Sequence, residues 1–282
     1  MIAADAVWFI TGCSKGFGRS LAEQALSAGY RVVATARRAE DVEDLASRYP
    51  DRVLTLALDV TNAVQIDAAV ASATERFGAI DVLVNNAGYI YLGAIEEGEE
   101  EDVRALFETN LFAPVALIKA VLPTMRARRK GHIVNISSIG GLITFPGSGY
   151  YNMVKAGVEA LSDVLAKEVG PLGINVTVVA PGAFRTDFRG PSSVRMAATQ
   201  MEDYAETAGK VRTATATGHG KQAGDPDLGA KAIIAAVKAE KPPVHLLIGG
   251  DALDLFRNKL DSMREETDAW EVLTRNTDFQ AT

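Results

Sequence analysis

The chain has 282 residues, of which 23% are charged and 48% hydrophobic, and its net charge is −7. That composition suits a soluble globular protein with a substantial core, and the acidic balance argues against a nucleic acid or an anionic membrane as the main partner. The apolar runs fall short of a membrane span, the first strand begins too close to Met1 for a signal peptide, and Cys13 has no second cysteine to pair with. A reducing, cytoplasmic setting is expected. No linker, repeat or low-complexity block divides the sequence, so 1–282 reads as one domain.

Val7-Trp8-Phe9-Ile10 is a short apolar burst with the character of a buried parallel strand. It runs into Thr11-Gly12-Cys13-Ser14-Lys15-Gly16-Phe17-Gly18, after which Leu21, Ala22, Ala25 and Leu26 recur at helical spacing until Gly29. Strand, glycine-rich turn and helix together set backbone N–H groups and a helix N-terminus against a phosphate. A Cβ at those glycines would hold a diphosphate off the backbone. Tight turns also use glycine for steric reasons alone, so the motif needs company.

The chain then alternates. Arg31–Ala36 reads as a strand, about 40–48 as a helix ending at Pro50, and Val53–Leu58 as a strand closed by Asp59-Val60-Thr61. Val64–Phe77 reads as a helix, and Val82-Leu83-Val84 as a strand ending in Asn85-Asn86-Ala87-Gly88. Strands separated by helices call for right-handed crossovers and a parallel sheet, which predicts a doubly wound α/β fold. In such a fold the end of the second strand faces the adenosine ribose of a dinucleotide, and an acid there would repel a 2′-phosphate. Ala36 holds that place, Arg37 and Arg38 follow, and Lys15 lies in the glycine turn. Three cations and no carboxylate favour NADP over NAD, since the guanidinium fork binds phosphate bidentately. Glu40 and Asp41 offer the plainer reading of a solvated face.

From Glu99 a long helical pattern runs to about Arg128 with Pro114 inside it, which denies the Asn110 carbonyl its helical donor. Ile133–Ile136 is a strand leading into Ser137-Ser138, and Tyr150-Tyr151-Asn152-Met153-Val154-Lys155 opens a helix. Tyr151 and Lys155, four apart, share one helical face, where a cation would lower the phenol pKa. Ser138 stands at a strand's carboxyl end, where ligands bind in doubly wound folds. Asn175–Ala180 is a strand ending in Pro181-Gly182, and 183–225 has weak pattern, as expected of a substrate lid. Leu228–Val237 reads as a helix, Val244–Ile248 as a seventh strand, and 251–282 as a helical extension of one or two polar amphipathic helices. His132, His219 and His245 are scattered and suggest no metal site. The first and last suit structural places at strand starts, and His219 lies in the expected lid.

These residues together resemble the short-chain dehydrogenase/reductase family, in its shorter single-domain branch. The resemblance rests on Thr11-Gly12-x-x-x-Gly16-x-Gly18, Asn85-Asn86-Ala87-Gly88, Asn110, Ser138, Tyr151-x-x-x-Lys155 and Pro181-Gly182, in the family's order from about Val7 to Gly250. It implies a Rossmann fold, a seven-stranded parallel sheet with helices on both faces. It also implies an NADP(H)-dependent oxidoreductase that interconverts a carbonyl and an alcohol on a small, fairly apolar substrate. Tyr151 would be the acid and base, with Lys155 lowering its pKa, Ser138 orienting the carbonyl oxygen and Asn110 supporting a proton relay.

The cofactor contacts implied are Gly12, Ser14, Lys15, Gly16, Phe17 and Gly18 around the diphosphate, Arg37 at the 2′-phosphate, and Asp59 and Val60 at the adenine edge. Asn86, Ala87 and Gly88 would line the adenosine side, Pro181, Gly182 and Thr186 the nicotinamide, and Tyr151 and Lys155 its ribose. Asp59 could equally cap the next helix. The extension beyond the seventh strand departs from many members, and it could cap the cleft or block a family tetramer interface, so a homodimer is expected. A 3-oxoacyl thioester reductase and a non-catalytic NADP(H) sensor are the alternatives.

Overall fold

The computed structural model describes residues 2–279. Nine strands are present among the described residues: β1 Val7–Ile10, β2 Arg31–Ala36, β3 Val53–Ala57, β4 Val82–Asn85, β5 Ile90–Leu92, β6 Gly131–Ile136, β7 Ile174–Pro181, β8 Val194–Met196 and β9 His245–Ile248. Seven of them form one sheet in the order β3-β2-β1-β4-β6-β7-β9, with every neighbouring pair parallel. The expected doubly wound sheet is therefore observed. Its chain order reverses between β1 and β4, and a crevice opens there at the strands' carboxyl ends.

Alternation along each strand divides the core into two layers. Trp8, Ile10, Val32, Ala34 and Val84 face one way, beneath α1 (Gly16–Ser27) and α8 (Pro226–Lys238). Val7, Phe9, Val33, Leu83 and Ile133 face the other way, beneath α3 (Ala63–Phe77), α5 (Ala113–Arg128) and α6 (Gly149–Val169). Trp8, Phe9 and Ile10 are fully buried, and truncating any one to alanine would cost about 2–5 kcal/mol. The short α2 (Glu43–Arg48) joins β2 to β3.

The long pattern after Glu99 is not one uniform helix. It comprises α4 (Glu100–Phe107), a π-helical turn over Glu108–Phe112, and α5. The Ala113 N–H bonds the Glu108 carbonyl, five residues back, and Pro114 follows without an N–H of its own. Contrary to the sequence expectation, the joined stretch Glu100–Arg128 is long and apolar enough to cross a membrane by length and composition. Here Leu117, Ile118, Val121 and Met125 of that stretch are buried against the sheet.

Segment 183–225 has more structure than its pattern suggested. β8 pairs in parallel with β5, a three-residue strand too short to show a period in the sequence, and α7 spans Lys210–Thr217. Beyond β9 come α9 (Gly250–Ala269) and α10 (Glu271–Arg275). Ala252 is buried with Ile139 and Ile143 and Phe256 packs against that cluster, whereas every described residue from Arg257 to Phe279 is exposed. The extension therefore does not cap the cleft.

Candidate active site

A cleft of about 670 Å³ opens at the carboxyl ends of β1, β2, β4, β6 and β7. Its floor is the glycine turn. Gly12 has φ +71° and Gly16 φ +61°, a left-handed region that side chains resist. At Gly18 a Cβ would lie 2.3 Å from the Gly12 carbonyl oxygen and 2.4 Å from Asn86 Nδ2, so only glycine lets α1 come this close. Asn86 Nδ2 in turn donates to the Thr11 and Gly12 carbonyls at 2.8 and 3.2 Å, tying the β4 loop to the turn. Turn and loop are thus held by backbone and amide bonds before any ligand arrives. An N–H-rich turn leading into α1, with a wall of small residues, fits a dinucleotide diphosphate.

The two arginines after β2 have different surroundings. Arg38 Nη2 pairs with Asp41 at 2.6 Å, as on an ordinary solvated face. Arg37 has no ionic partner among the described residues and lines the cleft beside Ala36. Lys15 Nζ reaches across the cleft to the Ser192 hydroxyl of segment 183–225. Asp59 does not cap α3, because Asn62 Oδ1 accepts from the Gln65 N–H at 3.2 Å. Asp59 instead accepts from the Thr61 N–H and hydroxyl, at 3.0 and 2.7 Å, and lines the cleft with Val60.

At the far end stand Ser138, Tyr151 and Lys155, brought together by the end of β6 and the first two turns of α6. Lys155 Nζ donates to the Ile136 carbonyl at 2.9 Å and lies 5.8 Å from the centre of the Tyr151 ring. Burial pushes the Tyr151 phenol up to about 12, against the hydrogen bond of Ser138 and the positive charge of Arg189. Burial likewise pushes Lys155 down to about 8, opposed by the carboxylate of Glu159. Lys155 is not among the groups that act on the phenol in this arrangement. Lys155 is itself desolvated and directs an N–H to the Ile136 backbone carbonyl.

Asn110 is buried behind the site and does not line the cleft. Its Oδ1 accepts from the Tyr89 N–H at 3.1 Å and its Nδ2 donates to the Tyr89 carbonyl at 3.0 Å. A Cβ on Gly88 would meet Asn110 Oδ1 at 2.2 Å and approach Lys155 Nζ to 3.9 Å, so Gly88 lets the two side chains draw close. Ser14, Phe17, Ala87, Pro181, Gly182 and Thr186 also line the cleft, while Gly18 lies buried beneath it. His219 faces Asp187 at 3.8 Å and does not line the cleft, and His132 is buried at the start of β6. Among the described residues no cluster could hold a metal.

Sequence reasoning expected a substrate lid in 183–225 but singled out none of the residues of the other wall. Tyr89, Phe188 and Val194 form an apolar face, with Arg189 and Arg195 beside it. The Arg195 guanidinium stacks 4.6 Å from the centre of the Tyr89 ring. Segment 183–225 is anchored outside the cleft by a buried pair in which Arg212 Nη1 donates to Glu97 Oε2 at 2.5 Å. The Ala94 and Met201 N–H groups complete the Glu97 shell at 2.8 and 2.9 Å. At its other end Asp251, in the first turn of α9, accepts from the Ala183 N–H at 2.7 Å. No motif signals Glu97, Arg212 or Asp251. Only a charge with its opposite 115 residues away, invisible to local periodicity, could have pointed to the pair.

Comparison with known proteins agrees with this geometry. The family model for short chain dehydrogenase matches residues 6–197. Oxidoreductase BOA17 of Botryotinia fuckeliana is 38% identical over 95% of this chain and 97% of its own length. A 3-ketodihydrosphingosine reductase of Bacteroides thetaiotaomicron is 41% identical over 70% of this chain and 71% of its own. A solved short-chain dehydrogenase from Streptomyces avermitilis superposes with a TM-score of 0.91 at 45% identity, over 99% of this chain and 100% of that one. ElxO, solved with NADP bound, has a TM-score of 0.73 at 28% identity, over 89% of this chain and 99% of that one. With its glycine turn, its Asn-Asn-Ala-Gly loop and its Ser138, Tyr151 and Lys155 at one crevice, the chain belongs to the short-chain dehydrogenase/reductase family of oxidoreductases.

Proposed function

We propose that the protein is an NADP(H)-dependent reductase or dehydrogenase that interconverts a carbonyl and an alcohol on a fairly apolar small molecule. The observation that carries this reading is the meeting of Ser138, Tyr151 and Lys155 in the same cleft as the glycine turn and the ionically unpaired Arg37. The bound dinucleotide would supply the hydride in one direction and accept it in the other. Gly12, Ser14, Lys15, Gly16 and Phe17 would hold its diphosphate, Arg37 its 2′-phosphate, and Pro181, Gly182 and Thr186 its nicotinamide end.

The remaining chemistry belongs to the chain. Tyr151 gives its phenolic proton to the substrate oxygen during reduction, and a phenol near 12 is fully protonated at neutral pH, as that role requires. Ser138 holds the same oxygen in place. Lys155, near 8, carries its proton at neutral pH and stands next to Asn110, where a proton can be returned to Tyr151. The apolar wall of Tyr89, Phe188 and Val194 would take the body of the substrate, under segment 183–225 acting as a lid. The Bacteroides relative, 41% identical and named a 3-ketodihydrosphingosine reductase, supports this class.

Arg189 and Arg195 at the cleft favour a second reading, a 3-oxoacyl thioester reductase whose substrate carries an anionic handle. The setting proposed is cytoplasmic, and the assembly a homodimer through α4, α5 and α6, where Phe112, Met153 and Val164 are about half exposed. NADPH oxidation against ketones, aldehydes and 3-oxoacyl thioesters tests the reading, with Tyr151→Phe as control. Turnover falling by about 10²–10⁴-fold in the variant at unchanged NADPH affinity is expected. A Tyr151→Phe enzyme as fast as the parent would overturn the assignment.

A further inference from the structure

One side of α6 carries a row of titratable groups that the chemistry above uses only in part. Tyr151, Lys155, Glu159 and Asp163 follow one another at steps of four, each about one turn beyond the last. The first two meet the cleft. Glu159 is 7% exposed, and neither of its carboxylate oxygens holds a hydrogen bond among the described residues. A buried carboxylate in that state is costly unless nearby charge balances it. The charged groups around it are Lys155 and Asp163 on its own helix and His245 at the start of β9, with the Ser137 hydroxyl at the end of β6. His245 Nδ1 comes within 3.4 Å of Glu159 Oε2, and His245 Nε2 meets Asp163 Oδ1 at 2.9 Å. Both ring nitrogens thus face carboxylates, an arrangement that uses both donors of an imidazolium. The His245 side chain is 44% exposed, so the row runs from the Tyr151 phenol out to solvent.

We propose that Glu159 is a positioning residue for catalysis, the counter-ion that keeps buried Lys155 charged, and that His245 in turn keeps Glu159 ionised. Desolvation favours the neutral form of either group alone, whereas the two charges support each other. Burial raises the Glu159 carboxyl above the usual carboxylate range, against the Ser137 hydroxyl and the His245 imidazole. Burial also brings Lys155 down to about 8, and the Glu159 carboxylate opposes that fall. The consequence for turnover rests on the reading of Lys155 as the group that returns a proton to Tyr151. Without its counter-ion, Lys155 would be neutral at mildly alkaline pH and would have no proton to return. An ion pair that only tied α6 to β9 would leave the titration of Lys155 where it is.

The test is an NMR titration of the full-length chain carrying isotope-labelled lysine, with the Lys155 signal identified by its loss in Lys155→Met. Glu159→Gln keeps the shape and removes the charge, so it should lower the Lys155 titration by about one pH unit, a tenfold shift in its proton equilibrium. Glu159→Asp should recover part of that loss. His245→Gln should lower the Lys155 titration by less, and His245→Arg, with its fixed charge, should hold it at the parent's value. Folded Glu159→Gln in which Lys155 titrates as in the parent would overturn the proposal. Should Glu159→Gln fail to fold, the surface pair decides, and His245→Gln and His245→Arg that both titrate as the parent does would overturn it. NADPH oxidation by the same variants reads the catalytic part, because the alkaline limb of kcat should move down with Lys155. A limb that stays while Lys155 shifts would overturn the place of Glu159 in catalysis. Lys155 that shifts in a chain without turnover on any carbonyl would support the counter-ion and overturn the proposed activity, so the two failures are distinguishable.

Discussion

The two walls of the cleft are built on different principles. The dinucleotide wall consists of strand ends and the turns that follow them: the glycine turn after β1, Ala36 and Arg37 after β2, and Asn86 to Gly88 after β4. Its geometry follows from a buried parallel sheet and from close approaches that only glycine permits. The opposite wall is segment 183–225, attached by β5–β8 pairing, by Asp251 at one end and by Glu97–Arg212 at the other. A sheet-built wall opens only with the domain. A wall hung on a few polar contacts can open alone, so binding of cofactor and closure over substrate can be separate events.

The sharpest way to break this comparison is at Glu97. Burial works to raise its carboxyl, but the Arg212 guanidinium and the Ala94 and Met201 N–H groups more than offset this and hold it below the usual carboxylate range. Glu97→Ala would leave Arg212 buried without its counter-ion, at a cost of about 3–5 kcal/mol. If the lid is a separate unit, hydrogen exchange should quicken across 194–217 and KM for the carbonyl substrate should rise, while exchange in β1 and NADPH affinity stay as they were. Uniform destabilisation of both walls would show that they open together.

Mild acid should probe the sheet before it reaches the Glu97 anchor of 183–225. His132, buried at the start of β6 with Nε2 2.9 Å from Thr177 Oγ1, is pushed down to about 4 by burial, from an ordinary value of 6.5. Unfolded chains take up this proton as pH falls through 6.5, whereas the folded imidazole resists until about pH 4. The stability it contributes is therefore complete above 6.5 and lost progressively towards 4, by roughly 3 kcal/mol at about 1.4 kcal/mol per pH unit. His132→Gln should flatten the acid limb of a melting-temperature profile, and an unchanged limb would assign acid sensitivity elsewhere. The smallest effect belongs to the exposed rim of the dinucleotide wall. Arg37→Asp should weaken NADPH binding at least tenfold and NADH binding far less; equal losses for both would remove Arg37 from the 2′-phosphate.

Legibility differed between the walls for a physical reason. Val7–Ile10, the glycine turn, Asn85–Gly88, Ser138 and Tyr151-x-x-x-Lys155 could be read directly, because each is a local pattern whose residue types are required by its backbone. The same local reading could not separate Arg37 from Arg38. Asp41 lies three residues after Arg38 and takes its charge, and only the fold shows that Arg37 keeps the cleft side. Nor could it give the electrostatics of Tyr151. Four-residue spacing placed a cation near the phenol, but desolvation depends on everything packed around both groups.

By itself the sequence determined the parallel sheet, the order of its elements and the residues gathered at its carboxyl edge. Hydrophobic period and glycine placement act over a few residues and leave a doubly wound sheet little freedom. Tertiary structure alone decided the π turn before Pro114, the attachment of 183–225 through Glu97 and Arg212, and the exposure of α9. Each of these depends on which distant surfaces meet, or fail to meet. A buried charge pair and an uncovered helix exist only once the rest of the chain has taken its place.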